Sequence, residues 1–477
     1  MSFTEFCCRS GGSNLNAGTR TGSSTEPGTS ADLTYASGTW VAGTGVFTVA
    51  SGDPVADGLA VGDFASVYAD GSSVTGFVGR VTARTSTTIT VSLSSKMGTA
   101  PADGTSNRTV KIGGAWQGPN GTSGFPFNIN TAALKNAAAD TCRINLKNHA
   151  TYSVTANITD GGSTTATAFE GYTTAYGDGG RATIAGPSTG SAFVLFQCGS
   201  VSCTYKGFIF DSNGATGSSD LVSASGGTWI SCVAKNGRGN GFISTGVAQF
   251  HECESFANNA SNTANKGGFA CSGTLARFSR CISHDNTGSN TRGFYYGGGY
   301  VSYKHCIADT NGQDGFNLGG NLGLFSMVGC DSYNNTGNGL TITSSTCGIW
   351  VDSCNFVKNG GYGISASGTG QTGCITNCGF GAGTQANTNG TTTGLVGLPL
   401  LGSVNYASNV TPWTDPANGD FRISLAAAQA AGRGTFTQTA SSYSGTVGYP
   451  DIGAAQSTGS GGGGGMIGGG NLSGGFQ

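Results

Sequence analysis

The sequence predicts an all-β chain: a long solenoid of short stacked strands, a small N-terminal antiparallel β domain and a Gly-rich C-terminal tail. Three observations predict it. Seven cysteines, Cys232, Cys253, Cys281, Cys306, Cys330, Cys354 and Cys378, recur at intervals of 21, 28, 25, 24, 24 and 24 residues. A Gly–apolar pair follows each of the first six, as Gly241-Phe242, Gly268-Phe269, Gly293-Phe294, Gly315-Phe316, Gly339-Leu340 and Gly363-Ile364. The apolar groups are three to five residues long, alternate, and are rich in Phe, Ile and Val, so no unit has room for a helix. Composition agrees. Gly is 86 of 477 residues and charged residues are 10%, against roughly 25% charged in ordinary domains. Low charge with short apolar groups argues for β structure, because disordered chains are usually charge-rich.

Residues 1–39 read as an N-terminal arm, in which the vicinal pair Cys7-Cys8 receives no role. Residues 40–115 contain "GVFTVAS", "DFASVYA", "GFVGRVTA", "TTITVSL" and "RTVKIGG", alternating segments separated by Gly, Asp or Ser turns. That is the pattern of a small antiparallel β domain or barrel. Residues 116–140 form a linker with the one clear helical stretch: Thr131 can cap it and Ala132 to Ala139 is alanine-rich. It is expected to cover the open end of the solenoid, since terminal repeats need a polar cap.

The repeat occupies residues 141–395. A period of 20 to 30 residues marks a solenoid whose units bury their apolar faces only against their neighbours. Strand periodicity without a leucine framework leaves a parallel β-helix with two or three strands per coil. Five residues after the cysteine stands Asn258, Asn286, Asn311, Asn335 or Asn359. Each is expected at a left-handed bend, bonded to its ladder neighbour. The Gly before each second strand fits a sharp corner. In-register positions stack at ~4.8 Å, slightly long for an unstrained disulfide, and Cys packs as a small hydrophobe. The cysteines therefore read as a ladder of free, buried thiols, and their odd total of 15 forbids complete intrachain pairing. Cys374 and Cys378 in "CITNC" have ligand-like spacing, but Cys378 lies on the ladder, so a structural role is preferred to zinc. Neither a metal nor a cofactor is expected. Residues 396–456 close the solenoid. Residues 457–477 have linker composition, yet Met466, Ile467, Leu472 and Phe476 are apolar islands that an assembly peptide would use.

Three further stretches carry a resemblance: "FEGYTTAYGDGGRATIAG" (169–186), "NGDFRISLAAAQAAGRG" (418–434) and "YPDIGAAQ" (449–456). With the repeat, they make residues 141–456 resemble the right-handed parallel β-helix superfamily, the pectate-lyase-like fold. The first stretch is similar to opening coils of such proteins and the other two to closing segments. The resemblance implies the fold; it leaves function open among lyases, hydrolases, epimerases, adhesins and phage tailspikes. "LAVGDFASVY" with "GFVGRVTARTSTTITVS" (59–92) is similar to small accessory β modules of virion proteins.

A lyase would present clustered Asp for calcium with a nearby base, and a hydrolase two or three converging carboxylates. Asp285, Asp309, Asp314, Asp331 and Asp352 stand at offsets +4, +3, +8, +1 and −2 from their cysteines, so they form no single column. Asp285 and Asp309 come nearest to stacking and are the catalytic candidates if the chain is an enzyme. His284 and His305, at +3 and −1, point to different faces. "GFYYGGGYVSYKH" places Tyr295, Tyr296, Tyr300 and Tyr303 within nine residues, where outward rings would stack on sugars; core stacking is the competing reading.

Net charge is −2 without a basic stripe, which excludes a nucleic-acid binder. The longest apolar stretch, "GLVGLPLLGSV", is too short and Gly/Pro-rich to span a membrane. "MSFTEFCCRS" lacks the basic-then-apolar pattern of a secretory signal. Free thiols fit folding in a reducing cytoplasm, whereas a rigid neutral solenoid suits work outside the cell. The expectation is a non-enzymatic structural protein on a phage virion surface, a capsid decoration or a fibre- or tailspike-like element. It would assemble in the host cytoplasm with other capsid or tail proteins, as a homo-oligomer with a trimer favoured, and bind a host-surface glycan. The alternatives are a polysaccharide lyase or glycoside hydrolase, and a bacterial cell-surface adhesin.

Overall fold

Between Cys142 and Asn405, strands three apart in sequence pair with one another, coil after coil. The computed structural model describes residues 4–10, 17–18, 27–71, 77–117, 119, 142–159, 167–186, 194–198, 203–213, 220–259, 262, 266–381, 388–390 and 400–423, with interruptions inside the longer runs. The expected helix over 132–139, most of the closing segment and all of the tail lie outside the described residues.

Three parallel sheets of 13, 11 and 10 strands, here sheets I, II and III, form the solenoid. One coil shows the path: Val247–His251 on sheet I, Glu254–Phe256 on sheet II and Lys266–Cys271 on sheet III, before Leu275–Ser279 returns to sheet I. Register is strict. Phe250 faces Phe278, which faces Tyr303, and Phe294, Phe316, Leu340 and Ile364 follow one another on sheet III. The chain is a parallel β-helix with an antiparallel barrel at its N-terminal end.

Two aromatic columns fill the interior. On sheet I the rings of Phe250, Phe278 and Tyr303 stack with centroids 5.1 Å apart. On sheet III, Phe242, Phe269, Phe294 and Phe316 stack at 5.2, 5.0 and 4.8 Å. These distances are the strand spacing, so backbone pairing brings each ring to stacking distance of the next. The ladder cysteines are all buried and free. Each thiol donates to the carbonyl two residues earlier, as Cys354 does to Asp352 at 3.2 Å. Asn286, Asn311, Asn335 and Asn359 form the expected side-chain ladder, with amide-to-carbonyl distances of 2.7, 2.8 and 3.0 Å.

Two expectations about the corners need correction. The ladder asparagines are not the left-handed residues. Those precede the cysteine (Ser231, Glu252, Arg280, His305, Gly329, Ser353, Asn377) and the asparagine (Ala257, Asp285, Thr310, Asn334, Lys358), with Asn236 at the same place ahead of Gly237 in a coil that has no ladder asparagine. The bend thus falls one residue earlier, and the Asn side chain turns inward to bond the next coil. The repeated Gly is likewise needed for room rather than for a special backbone angle. A Cβ at Gly241 would lie 2.1 Å from the Ser255 hydroxyl, and one at Gly268 2.0 Å from that of Ser283.

The assumed arm is also more than an arm. Thr4–Arg9 is a rung of sheet I, pairing with Cys142–Lys147 and with Trp116–Gln117. Phe6 and Cys8 point inward opposite Ile144 and Leu146, while Cys7 meets the Tyr172 hydroxyl at 3.1 Å. Leu33–Val41 belongs to the barrel, which closes through Val46–Thr48, Thr88–Gly98, Phe77–Arg84, Phe64–Ala69 and Gly104–Ile112. Trp40, Phe47, Val67, Phe77 and Val110 are in its core. Phe64 and Val78 point the other way and join the solenoid core, where Phe6 lies 5.0 Å from Phe64 and 4.9 Å from Trp116. The barrel and Trp116 therefore cover this end of the solenoid.

Candidate functional site

Strand alternation sends every second residue of sheet II outward, and strict register stacks those residues into columns. One column runs Phe256, His284, Asp309, Tyr333. The His284 ring stacks on Phe256 at 5.0 Å. Its Nδ1 lies 2.8 Å from Asp285 and its Nε2 3.0 Å from Glu254, which also faces Arg181 at 3.9 Å. Burial works against a charged ring, but the bonds and charges of Glu254 and Asp285 outweigh it and hold the His284 pKa above its usual value. The bond from His284 in turn lowers the pKa of Glu254. Asp309 behaves differently. Burial first, and then the Asp285 charge, push it up to about 6, against the Thr310 hydroxyl and His284. A carboxyl that titrates about a unit below neutrality, beside a second carboxylate, can donate and accept protons.

The structure thus brings Asp285 and Asp309 together and adds His284, which the sequence reading had set aside, and Glu254, which it had missed. A signal for them exists: residues one and three places after the cysteine share an outer face, and His284 and Asp309 both stand at the third. Asp331 and Asp352 are not part of this cluster. Both are fully buried, and accept bonds from Asn355 at 2.9 Å and from Asn377 at 3.0 Å. A short hairpin, Trp413–Asp415 with Asp420–Ile423, supplies Trp413 and Phe421 against Tyr333 at 5.4 and 6.0 Å.

The four tyrosines divide. Tyr296 and Tyr303 are core residues and cannot meet a ligand. Tyr295 and Tyr300 face outward, because Gly297 to Gly299 turn the chain from sheet III to sheet I and reset the alternation. Tyr295 lies under the Arg292 guanidinium at 4.9 Å. Tyr300 is 51% exposed and shares its column with Leu275 and Leu324, itself 51% exposed. In the adjoining column Trp350, 48% exposed, follows Arg277, Ser302 and Ser326. Arg277 and Lys304 are exposed and have no acidic partner among the described residues. Arg277, Leu324 and Trp350 escaped the sequence reading because only register brings them beside Tyr300. The result is a face of sheet I with two large rings, an aliphatic group, hydroxyls and two exposed cations. Cys374 also lies on this face next to Trp350, whereas Cys378 points into the core.

A chain with this face and this cluster is a parallel β-helix protein with two candidate binding surfaces. No family model matches it, and no curated protein matches it. Among solved structures it is similar to the pectate lyase Pel9A, at 17% identity and a TM-score of 0.42 over 71% of this chain and 96% of that one. It is similar to the tailspike protein gp49 of Pseudomonas phage LKA1 at 12% identity and a TM-score of 0.23, over 80% of this chain and 62% of that one. The catalytic domain of a GH87 α-1,3-glucanase gives 12% identity and a TM-score of 0.26, over 82% and 96%. The fold rests on the strand order and register of the chain itself.

Proposed function

We propose that this chain is a structural element of a virus particle surface that binds an acidic host-surface polysaccharide on the outer face of sheet I. The observation that carries this is the set of exposed Tyr300, Leu324 and Trp350 on one sheet face with the exposed cations Arg277 and Lys304. Pyranose faces stack on such rings, and a uronate or similar acid complements the cations. The rigid backbone supports the rings without the cost of ordering a loop. The virion assignment draws on the thiols: 14 described cysteines are free and 13 of them buried, which suits a chain that folds in a reducing compartment. Other particle proteins and further copies of the chain, a trimer first, are the expected partners.

The test is binding of the full chain to acidic and neutral capsular polysaccharides. Tyr300→Ala and Trp350→Ala should each weaken acidic-glycan binding about tenfold, roughly 1.4 kcal/mol. Unchanged binding in both variants overturns the surface assignment. Failure of the chain to co-purify with DNA-filled particles overturns the virion assignment.

A second reading has one observation in its favour, the Asp285–Asp309 pair with His284 on sheet II. It predicts glycosidic cleavage, with reducing ends released by the native chain and lost in Asp309→Asn. The first reading predicts no release from any of these polysaccharides.

A further inference from the structure

A second polar ladder runs along the start of sheet III. Asn240, Asp314 and Asn338, each just ahead of a Gly–apolar pair, and Asp220 one coil before Asn240, each offer a side-chain oxygen to the backbone N–H one coil on. Asn338 N–H donates to Asp314 at 2.9 Å and Tyr362 N–H to Asn338 at 2.8 Å. Lower in the solenoid, Asn240 N–H donates to Asp220 Oδ1 at 2.8 Å and Gly267 N–H to Asn240 Oδ1 at 2.8 Å.

The lower rung holds something more. The Asn240 side-chain amide also donates to Asp220 Oδ1 at 2.8 Å, and the Lys266 amine reaches that same oxygen at 2.8 Å. One carboxylate oxygen thus holds an amine and a carboxamide nitrogen as second neighbours. Asn240 is buried, and Lys266 and Asp220 are largely so. At the upper rung the basic residue near Asp314 is Arg292, at 4.0 Å, which is no nucleophile.

We propose that Lys266 and Asn240 join in an intramolecular isopeptide bond, with Asp220 moving the protons. Each part of the reaction has a group in place. Asp220 takes a proton from the Lys266 ammonium, freeing the amine. The amine attacks Cγ of Asn240. Gly267 N–H, already on Asn240 Oδ1, stabilises the oxyanion of the tetrahedral adduct. Asp220 passes its proton to Nδ2, the Cγ–Nδ2 bond breaks, and the nitrogen leaves as ammonium with the two protons Lys266 has lost. One C–N bond forms and one breaks; nothing is oxidised, and no co-reactant is consumed. The product clamps neighbouring coils covalently without using a cysteine. This inference does not depend on the glycan-binding reading.

Intact-mass measurement of the denatured full chain tests it. The expected result is a mass lower by one ammonia, with a branched peptide joining Asn240 and Lys266 after digestion. Lys266→Arg and Asp220→Asn should both restore the full sequence mass, the first while keeping a cation on Asp220. Asn240-Gly241 could also lose ammonia by cyclising to a succinimide. That product is cleaved by hydroxylamine, gives no branched peptide and persists in Lys266→Arg. An unmodified native mass, or an ammonia loss that persists in Lys266→Arg, overturns the proposal.

Discussion

Each coil places two residues in the left-handed region, and most of them are not glycine. A residue with a Cβ pays about 1–2 kcal/mol in that conformation. Ala257 is the simplest case, at φ 52° and with only a methyl group to lose. Ala257→Gly should therefore stabilise the chain by about 0.5–1 kcal/mol after allowing for the added freedom of the unfolded chain. A urea midpoint equal to or below that of the parent would show the strain is absent. Asp309 gives a second prediction at this scale. Its folded pKa is about 6 against an ordinary 3.8, so the folded state binds the extra proton between those values. Its favourable contribution is complete below pH ~4 and is lost as the pH rises through ~6. Asp309→Asn should leave stability unchanged at pH 4 and raise it at pH 7, by roughly 1–2 kcal/mol. His284, whose raised pKa contributes stability that fades as pH climbs through its folded value, is present in both proteins and largely cancels. Equal shifts at both pH values would rule out the raised carboxyl.

At the scale of the element, the asparagine ladder is a buried polar network with each member bonded on several sides. Asn311 donates to Asn335 and to the Ser283 carbonyl, at 2.8 and 3.1 Å, and accepts from Asn286 at 2.7 Å. Asn311→Ala strands these groups away from water, and each unsatisfied one costs about 1–3 kcal/mol. A loss of 3 kcal/mol or more is expected by urea denaturation, while Asn334→Ala, at an exposed bend, should cost far less. The cysteine ladder predicts a reagent pattern instead of an energy. Burial raises the pKa of Cys281, Cys330, Cys354 and Cys378, and the thiols are sealed from solvent. Native protein should label at few cysteines, and unfolded, unreduced protein at nearly all. Disulfides recovered at the ladder positions would contradict the stacking described here.

Across the whole molecule, a solenoid is stabilised by contacts between neighbouring coils, so its ends and open faces need cover. The barrel does this at one end through Phe64 and Val78. On sheet II Trp413 and Phe421 cover Tyr333, the residue that follows Asp309 in its column. Trp413 is 2% exposed, and removing a buried Trp typically costs ~3–5 kcal/mol. Because the hairpin is a local appendage, Trp413→Ala should release it to protease while the coils stay folded. Cleavage near Ile423 with unchanged melting of the solenoid is the expected result; global unfolding would mean the hairpin holds the coils together.

Local chemistry repeated along the chain determined the coil. The cysteine interval, the Gly–apolar pair and the fixed asparagine each mark one environment that recurs every turn, so the parallel β-helix, its thiol ladder and its asparagine ladder were legible from spacing alone. Tertiary structure decided what spacing cannot carry. The left-handed bend fell beside the asparagine, because the backbone turns where one side chain can point out and the next can reach the following coil. Tyr296 and Tyr303 went inward while Tyr295 and Tyr300 went outward, because three glycines reset the alternation between two sheets. Glu254, His284, Asp285 and Asp309 met because irregular coil lengths still stack in strict register. Thr4–Arg9 joined a strand far along the chain, at Cys142–Lys147, since a solenoid end exposes unpaired backbone and any alternating segment within reach can satisfy it.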